Sequence, residues 1–534
     1  MRRIIPIAVA FLMISFFSNI ANAQSNSRVG QNWCGSVFDD NQANQLDAFA
    51  EYYYHRGGKA HYATKTRALK YLPIKYHLVA KSDKTGRYPL SKALDDLCIL
   101  NADMSHADIQ VYLKGDIDMG INNDAWTNGT GGTATSNPSQ YTLMPQLKND
   151  QSALNVYQVQ KIRNENSVLG VAVGSVFHMN GGVPNASSSM LLIKKGEGGK
   201  DQTFAHELAH NLSMPHTFYQ WEQFNDPSVP NSNYDCGTKA YSGAEKYDGS
   251  NCSTTGDRFC DTSPDYMFGG FRCGSNDHPD PQFSSCIQMD QDSTTGVADG
   301  GNIMSYGFSC TNRKFSTAQI NMMDHNLATL RPSLISYTPN TTAITDPVTN
   351  ATADNWYYDN VVLSWDPVPN ATHYAIEISW LSTFGESFMK DMVVVTGTTY
   401  TSTVLTKNRN HFWRVIPFNE GYLCASPSTP KTFMTSNTAV ATKNVEEIND
   451  LSINPNLANK GRAVNLVMHA NKGFDADINI VDVQGRVVLS EPQKRFDQGE
   501  NNYRIETSNL SAGIYIVTIR TETGVLNRKL VVTH

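Results

Sequence analysis

The chain has 534 residues, which is too long for a single hydrophobic core, so several domains are expected. Hydrophobic residues make up 40% of it and charged residues 17%, as is typical of soluble globular proteins. A net charge of −7 over this length gives no indication of binding to nucleic acid or to an anionic membrane.

The N-terminus has the features of a secretory signal peptide. Arg2 and Arg3 precede an apolar run from Ile4 to Phe17, and residues 21–23 fit the small-residue cleavage rule. The run is too short for a lasting membrane anchor, and no later stretch is apolar enough to span a bilayer. We predict a signal peptide at 1–23 and a mature chain without a transmembrane segment.

Residues 24–68 are predicted to be a pro-segment. Lys65, Arg67 and Lys70 mark an exposed basic stretch where maturation cleavage could fall, although a segment that stays attached also fits. From Leu72 the pattern changes to strands at 73–80, 108–113, 154–160, 168–176 and 190–194, with a helix at 90–104. We expect strand 190–193 at a sheet edge, where an extended substrate could pair with it.

The string HELAHNLSMPH at 206–216 predicts a zinc site. His206 and His210 are four residues apart, so they share one face of a helix and can reach one ion. His216 is the third nitrogen ligand, which leaves a fourth position for water. Glu207 lies beside the ion without being a ligand, as the general base of a zinc peptidase must. This reading is favoured over a chance HExxH on a surface helix.

About ninety residues later, residues 302–306 (NIMSY) have the sequence of a Met-turn. Met304 would shape the floor of the site, and the Tyr306 hydroxyl would donate to the oxyanion during attack on a peptide. Together with the zinc motif, this turn resembles the metzincin clan of metalloproteases. The resemblance implies an α+β catalytic domain with a twisted mixed sheet and an active-site helix.

Further stretches resemble the pappalysin family of metzincins, over roughly residues 70–335: HTF at 216–218, GDRFCDT at 256–262 and MSY at 304–306, with Cys310. Two positions depart from the family pattern. The usual Gly of HExxHxxG is Ser213, where a left-handed backbone would cost about 1–2 kcal/mol. The acidic residue that commonly follows the Met is Ser305, so the family's preference for basic side chains is not assumed.

Residues 32–35 (NWCG) resemble the cysteine switch of pappalysin pro-segments, in which a thiolate occupies the open position of the zinc. Cys34 is therefore the candidate inhibitory residue. The alternative is a Cys34–Cys98 disulfide, but Cys98 lies on the apolar face of a predicted helix, where a buried free thiol is natural.

Six of the nine cysteines follow the zinc motif in a segment with few apolar residues, which favours disulfides in an exported protein. The family pattern implies Cys252–Cys286 and Cys273–Cys310, which leaves Cys236–Cys260 as an extra pair. Six cysteines allow fifteen connectivities, so only the resemblance selects this one. A structural zinc site with four thiolates is the alternative, but the segment contains no CxxC pair.

The same segment suggests calcium. Asp248, Asp257, Asp261 and Asp265 lie in it, and family members hold calcium in this region. Oxygen-rich loops suit calcium, but acidic residues are also common in exposed turns, and both interpretations stay open.

A Thr/Pro/Asn linker at 337–350 leads to a second region of strand alternation. Trp365, Tyr374 and Trp413 occur there at intervals that resemble a fibronectin type III sandwich over 350–435. These aromatics are expected in the core of the sandwich, and carbohydrate binding is the alternative.

A second polar linker, 436–447, precedes a β-rich module at 448–534. Its stretches LSINPN (451–456), INIVDVQGRVV (478–488), LSAGIYIV (510–517) and KLVV (529–532) resemble, in order, the C-terminal sorting domain of type IX secretion. The resemblance implies a Gram-negative host, contact with the type IX secretion machinery, and a secreted or surface-attached product. A second adhesion-type β-sandwich is the alternative.

The sequence therefore predicts a multidomain, secreted zinc endopeptidase, with a metzincin domain at 69–336 followed by two all-β sandwich modules. A protein or peptide substrate and a monomeric state are expected. One alternative is a non-catalytic surface adhesin on a metzincin scaffold, which Ser213 encourages. Another is a gluzincin that uses Glu222 as third ligand, but this reading leaves His216 and the Met-turn unexplained.

Overall fold

The computed structural model describes residues 34, 36, 40–130, 140, 143–162, 164, 168–173, 179–180, 183–184, 190–200, 202–220, 240, 242–266, 271–272, 287–308, 313–354, 356–437, 445–484 and 486–533. The predicted signal peptide lies outside these residues, as do Glu222, Cys236, Cys273, Cys286 and Cys310. No helix among the described residues combines the length and the apolar character needed to cross a membrane.

Residues 40–336, the N-terminal module, combine helices and strands. The elements are α1 (Asp40–Ala50), α2 (Gly58–Thr64), β1 (Lys70–Leu78), α3 (Leu90–Met104), β2 (Ile109–Leu113), α4 (Asp124–Asn128), α5 (Leu143–Lys148), β3 (Leu154–Val159), β4 (Gly170–Val173), β5 (Met179–Asn180), β6 (Val183–Pro184), β7 (Met190–Lys194), α6 (Thr203–Asn211), β8 (Phe271–Arg272), β9 (Gln288–Met289), β10 (Thr295–Gly296), β11 (Gly307–Phe308) and α7 (Thr317–His325).

A five-stranded sheet with the order β2-β1-β3-β7-β4 forms the centre of this module. Four strands are parallel and β4 is antiparallel, so the sheet is mixed, as expected. Successive residues of one strand enter different hydrophobic clusters, Val156 on one face and Tyr157 on the other. Both faces are therefore buried, which accounts for the nearly continuous burial of β3.

The structure corrects the predicted edge of this sheet. β7 lies between β3 and β4 and pairs with both, so its backbone is not available to an extended peptide. The edge strand on this side of the sheet is β4, and β2 forms the opposite edge. A short apolar run is compatible with a central or an edge strand, and no local signal in the sequence fixes strand order.

The predicted pro-segment is partly built into the core of the module. Leu46 and Phe49 of α1 and Tyr53 in the following turn are 0%, 2% and 4% exposed and belong to the cluster that contains α3, α6 and α7. Lys65 and Lys70, from the predicted cleavage stretch, pair with Asp324.

Two cysteine predictions are wrong. Cys98 is not a free thiol, because it forms a disulfide with Cys424, 326 residues further along the chain. Cys252 pairs with Cys260, which rules out both Cys252–Cys286 and Cys236–Cys260. The Cys252–Cys260 separation of 8 residues, with Cα atoms 5.0 Å apart, closes a compact turn. The resemblance supplied the predicted pairs, and this local pair is a departure from it.

Residues 350–437, the sandwich, contain two antiparallel sheets, of orders β12-β13-β16 and β15-β14-β17-β18. The strands are β12 (Thr352–Asp354), β13 (Val361–Ser364), β14 (His373–Ser379), β15 (Met389–Val395), β16 (Thr399–Ser402), β17 (Asn410–Phe418) and β18 (Lys431–Met434). Trp365, Tyr374 and Trp413 are 4%, 3% and 1% exposed in the core between the sheets, as expected.

Residues 445–533, the C-terminal module, also form two sheets, of orders β19-β21-β24 and β20-β26-β25-β22-β23. The strands are β19 (Ile448–Asn454), β20 (Leu457–Asn459), β21 (Val464–Ala470), β22 (Phe474–Asp482), β23 (Val487–Phe496), β24 (Gly499–Ile505), β25 (Gly513–Arg520) and β26 (Val525–Thr533). Their inward-facing side chains form a hydrophobic cluster separate from those of the other modules.

Candidate metal centre

Helix α6 places two of the predicted ligands. Its apolar residues Phe204 and Leu208 pack into the core, which fixes the rotation of the helix. His206 and His210 then project from another face, one turn apart, and are 6% and 3% exposed. Glu207, 1% exposed, is held on the same helix beside them.

The turn after α6 brings in the third histidine. Ser213 has φ 65°, so the left-handed backbone expected at this position is present without a glycine. Its hydroxyl donates to Gln45 Oε1 at 3.1 Å and accepts from Asn326 Nδ2 at 3.2 Å. These hydrogen bonds help offset the backbone strain. His216, 4% exposed, then faces His206 and His210.

The three imidazoles converge through their Nε2 atoms, which are separated by 3.1 Å (His206–His210), 3.1 Å (His206–His216) and 3.0 Å (His210–His216). Nitrogens around a tetrahedral zinc with bonds of about 2.0–2.1 Å lie about 3.3–3.4 Å apart. The donor type and the spacing therefore fit a zinc ion bound by three histidines.

Hydrogen bonds fix the tautomers of two of these rings. His206 Nδ1 donates to Ile303 O at 2.8 Å, and His210 Nδ1 donates to Met214 O at 2.7 Å. Burial lowers the pKa of both imidazoles well below the usual value. Neutral rings with the proton on Nδ1 direct an Nε2 lone pair at the common point, as metal ligands require.

Cys34 is the fourth residue at this point. Among the described residues, Cys34, His206, His210 and His216 are the only group of three or more His, Cys, Asp or Glu whose ligand atoms gather within 4.8 Å. Cys34 is a buried free cysteine, so the alternative Cys34–Cys98 disulfide is excluded. The predicted switch residue is thus positioned to contact a bound metal.

Cys34 and Ser36, which together are called the Cys34 segment, also cover Glu207. Ser36 Oγ donates to Glu207 Oε2 at 2.8 Å and accepts from Ala172 N at 2.7 Å, while Cys34 Sγ lies 3.6 Å from the same carboxylate oxygen. Glu207 Oε1 has no hydrogen-bond partner among the described residues. Burial raises the pKa of Glu207 to about 7, and the contacts with Ser36 and Cys34 lower it in part.

The edge strand β4 lies against the same carboxylate. Cys34 forms an isolated parallel bridge with Gly170, so the Cys34 segment runs along this edge. A Cβ atom at Gly170 would lie 2.5 Å from Glu207 Cγ, which is too close for any other residue without a shift. A glycine is therefore needed where the strand passes Glu207.

The predicted Met-turn closes the site from another side. Met304 is fully buried, and its carbonyl accepts from Thr217 N at 3.2 Å, next to His216. The Tyr306 ring lies edge-on to His216 with centroids 5.1 Å apart. Its hydroxyl donates to Cys34 O at 3.5 Å, so it already contacts a peptide carbonyl above the histidines.

The four calcium candidates are not brought together. Asp248 is exposed and accepts from Ser250 N, while Asp261 accepts from Ser316 Oγ and Ala318 N at the start of α7. Asp257 and Asp265 are buried, at 1% and 2% exposed.

The two buried aspartates interact with Glu245, which is 4% exposed. Burial, then the negative charges of Asp257 and Asp265, raise the pKa of Glu245. Burial also raises the pKa of Asp257. Asp265 accepts from Thr217 Oγ1 at 2.8 Å, which joins this acidic group to the loop of His216. The group consists of hard oxygen donors of the kind calcium takes.

Sequence reasoning missed Ser36, Glu245 and Arg313. Arg313, 5% exposed, donates to the carbonyls of Asn302, Ile303 and Ser305 and so holds the Met-turn backbone. Ser36 lies two residues from the recognised Cys34, which was the one local signal available. Glu245 and Arg313 come near the site only when the chain is folded, so no sequence motif marks them.

Comparison with known proteins identifies one module. Residues 452–533 match the family described as the secretion system C-terminal sorting domain. No curated protein matches the chain in sequence.

Several solved fibronectin type III domains resemble part of the structure. The human contactin 1 domain is 16% identical (20% of this chain, 93% of that one, TM-score 0.17). The sixth domain of human fibronectin type III domain containing protein 3 is 14% identical (20% and 95%, TM-score 0.15). The domain of the human collagen alpha-1(XX) chain is 20% identical (20% and 98%, TM-score 0.15). These TM-scores are too low to assign the fold of the sandwich, and its fibronectin type III assignment stays a prediction.

The sorting domain determines where the protein acts. Domains of this kind direct their carriers through type IX secretion, which implies contact with that machinery. The chain thus carries a type IX C-terminal sorting domain and is a secreted or cell-surface-attached protein of a Gram-negative bacterium.

Proposed function

We propose that the protein is a secreted zinc-dependent endopeptidase. The observation that carries this proposal is the convergence of His206, His210 and His216 through Nε2, with Glu207 on the same helix. Three nitrogen donors leave one position of a tetrahedral zinc open, which is the arrangement of catalytic zinc sites. When bound, zinc would supply a Lewis acid and lower the pKa of water.

The other residues have roles that follow from their positions. Glu207 would accept the proton of the attacking water and deliver it to the leaving amine, because it is buried beside the histidines on the same helix. The Tyr306 hydroxyl would donate to the developing oxyanion, since it donates to the Cys34 carbonyl in this structure. Strand β4 would pair with the substrate backbone, because the Cys34 segment uses that edge.

The Cys34 segment would keep the enzyme latent. Cys34 Sγ would take the open position of the metal. Ser36 Oγ donates to Glu207 Oε2, so this oxygen of the carboxylate is not free to accept a proton from water. Both contacts have to break before a substrate can bind.

Peptide cleavage by the chain from Gln24 onward tests this proposal. Removal of the whole predicted pro-segment, residues 24–68, would disturb the core, because Leu46 and Phe49 belong to it. The Cys34→Ala/Ser36→Ala double variant is therefore the better activated form. We expect it to be zinc-loaded and to cut a mixed peptide library. Adding Glu207→Ala should abolish every cut, which mass spectrometry would detect.

A folded, zinc-loaded double variant without Glu207-dependent cuts would contradict the proposal. The alternative of a surface adhesin on an inactive scaffold would then come first. Each single histidine variant, assayed for bound zinc, separates the three-histidine centre from a site that uses Glu222.

We further propose that Glu245, Asp257 and Asp265, whose ligand atoms do not all gather within 4.8 Å of one another in this structure, move together to hold a calcium ion. The burial of these three carboxylates and the repulsion between their charges support a divalent cation at this place. Because Asp265 accepts from Thr217, which follows His216, cation binding at Asp265 would also act on the loop of His216. Calcium should raise the thermal unfolding midpoint of the zinc-loaded protein, and Glu245→Gln should remove that increase. Asp248→Asn, at an exposed carboxylate, is the control, and a midpoint insensitive to calcium would exclude the site.

A further inference from the structure

The outer face of the sandwich is covered, although an isolated β-sandwich exposes this face to solvent. Strand β14 is buried at every position from Tyr374 to Ser379. Tyr374, Ile376 and Ile378 point into the sandwich core, so Ala375 and Glu377 occupy the opposite face. Strands of the C-terminal module, such as β21, alternate between buried and exposed residues instead.

The surface that covers this face belongs to the N-terminal module. Ala375, Ile416 and Phe418 of the sandwich belong to the same hydrophobic cluster as Leu94 and Leu97 of α3. Helix α3 packs on β14 and also on α6, the helix that carries His206 and His210. One helix thus connects the sandwich to the helix of the candidate metal centre.

A buried polar group fixes the position of this contact. Glu377, fully buried, accepts from Ser91 N at 2.9 Å and from Ser91 Oγ at 3.0 Å at the start of α3. Arg414 donates to Glu377 Oε2 at 2.8 Å and to Ser91 Oγ at 2.6 Å. A buried ion pair with matched hydrogen bonds is costly when misaligned, so it specifies one arrangement of the two surfaces.

Three contacts surround this group. The Cys98–Cys424 disulfide joins α3 covalently to the sandwich. Leu113 N, on the outer strand β2, donates to Glu420 O at 2.8 Å. Lys195, in the loop between β7 and α6, pairs with Glu386 of the sandwich. The last contact acts on the segment that leads directly into α6.

We propose that the sandwich is an obligate supporting part of the metal-binding unit, and that its outer face is a docking surface for α3 of the same chain. The unit that folds and holds zinc is then residues 40–437, not 69–336. This inference builds on the proposed zinc peptidase, because it assigns the sandwich the task of positioning α6. The sandwich is neither a flexible spacer nor a separate binding module.

Hydrogen exchange of the full chain in increasing urea tests the inference, read by mass spectrometry on peptides from α6, α3, β14 and β13. We expect these elements to lose protection at one common midpoint, because they form one cooperative unit. The same series in the presence of a zinc chelator should again give coincident midpoints at lower urea. Exposure of β13 and β14 at a lower midpoint, with α6 still protected, would overturn the inference.

Two variants at matched positions add a second test. Ala375→Arg places a charge on the covered face, and Thr401→Arg places it on an exposed position of β16. Ala375→Arg should lower the midpoints of α6 and β14 together by about 1 M urea and weaken zinc binding. Thr401→Arg should change neither quantity. An Ala375→Arg protein with unchanged α6 protection and zinc affinity would contradict the inference.

Failure of this inference and failure of the proposed function give different results. A chain that binds no zinc or cuts no peptide fails as a peptidase, whereas the coincidence of midpoints is measured with and without zinc. If the Ala375→Arg protein does not fold, the coincidence in the unchanged chain still decides the question.

Discussion

Arg313 acts on the candidate metal centre indirectly, through the backbone of the Met-turn. Its guanidinium donates to Ile303 O at 2.8 Å, and the same carbonyl accepts from His206 Nδ1. Because Asn302 O and Ser305 O also accept from Arg313, one side chain fixes the Met-turn and the acceptor that orients His206. Arg313 is therefore a positioning residue.

We predict that Arg313→Met weakens zinc binding about 10–100-fold, the usual effect of removing a partner of a metal ligand. The zinc affinity of Arg313→Lys should fall between that of Arg313→Met and that of the unchanged chain, because an ammonium group keeps the charge but lacks the planar guanidinium with its several donors. Competition with a chromogenic zinc chelator measures the affinity. Lys314→Met, at the exposed neighbour, is the control, and unchanged zinc affinity in Arg313→Met would refute the role.

Asp96 couples the protein's stability to pH. It is 6% exposed on α3, and burial raises its pKa to about 7, although hydrogen bonds from Tyr88 and from the backbone of Gly199 lower it in part. The unfolded pKa is about 3.9, so the folded state binds this proton more tightly. The stabilising contribution is complete below about pH 4 and is lost as the pH rises to about 7.

Asp96→Asn should remove this dependence. At pH 8 the variant is expected to be more stable than the unchanged chain by on the order of 2–4 kcal/mol, with little difference at pH 4. Urea unfolding at both pH values measures the change, with Asp346→Asn at an exposed position as control. A pH-independent difference between the two proteins would show that Asp96 does not titrate as described.

How far the sequence determines the site differs from residue to residue. His206, Glu207, His210 and His216 were predictable, because one helix and one turn hold them and the motif is local. The backbone of Ser213 was predictable for the same reason. The wrong prediction of a free thiol at Cys98 has the opposite cause: helical periodicity showed a buried face, but nothing nearby indicated a partner 326 positions away.

At the level of elements, α1 is part of the core and not merely a covering segment. Leu46 and Phe49 belong to the same hydrophobic cluster as Phe259, and Gln42 Nε2 donates to His210 O at 3.0 Å at the end of α6. Release of the Cys34 segment alone would open the site and leave this helix in place.

We predict that Leu46→Ala lowers the free energy of unfolding by about 2–5 kcal/mol, as truncation of a fully buried leucine does. Asn44→Ala, on the exposed side of the same helix, should change it by less than about 0.5 kcal/mol. Urea unfolding of both variants checks this. Equal stability of the two would show that α1 is dispensable to the core.

The order of strands shows where prediction from sequence stops. The pattern located β3 and β7 to within a residue or two, because buried strands carry a strong local signal. The pattern did not show that β4 lies at the edge of the sheet, beyond β7. This order depends on the path of the chain between the two strands. The sequence therefore did not identify β4, the strand that passes Glu207, as the edge at which we propose that a substrate pairs.

For the molecule as a whole, two β modules have different relations to the rest of the chain. The sandwich shares a hydrophobic cluster and a disulfide with the N-terminal module, whereas the C-terminal module keeps a cluster of its own. Composition and strand pattern predicted both as similar modules. Only packing distinguishes the sandwich, which we infer supports the candidate metal centre, from the C-terminal module, which serves export.

The Cys98–Cys424 bond also makes a closed covalent ring of the chain between those residues. Every predicted metal ligand except Cys34, together with the Met-turn, lies inside this ring. A single backbone cut anywhere within it opens the ring but leaves the two pieces linked through sulfur. A protein located outside the cell therefore tolerates one such nick without separating into two pieces, and it would migrate as one band until a reductant is added.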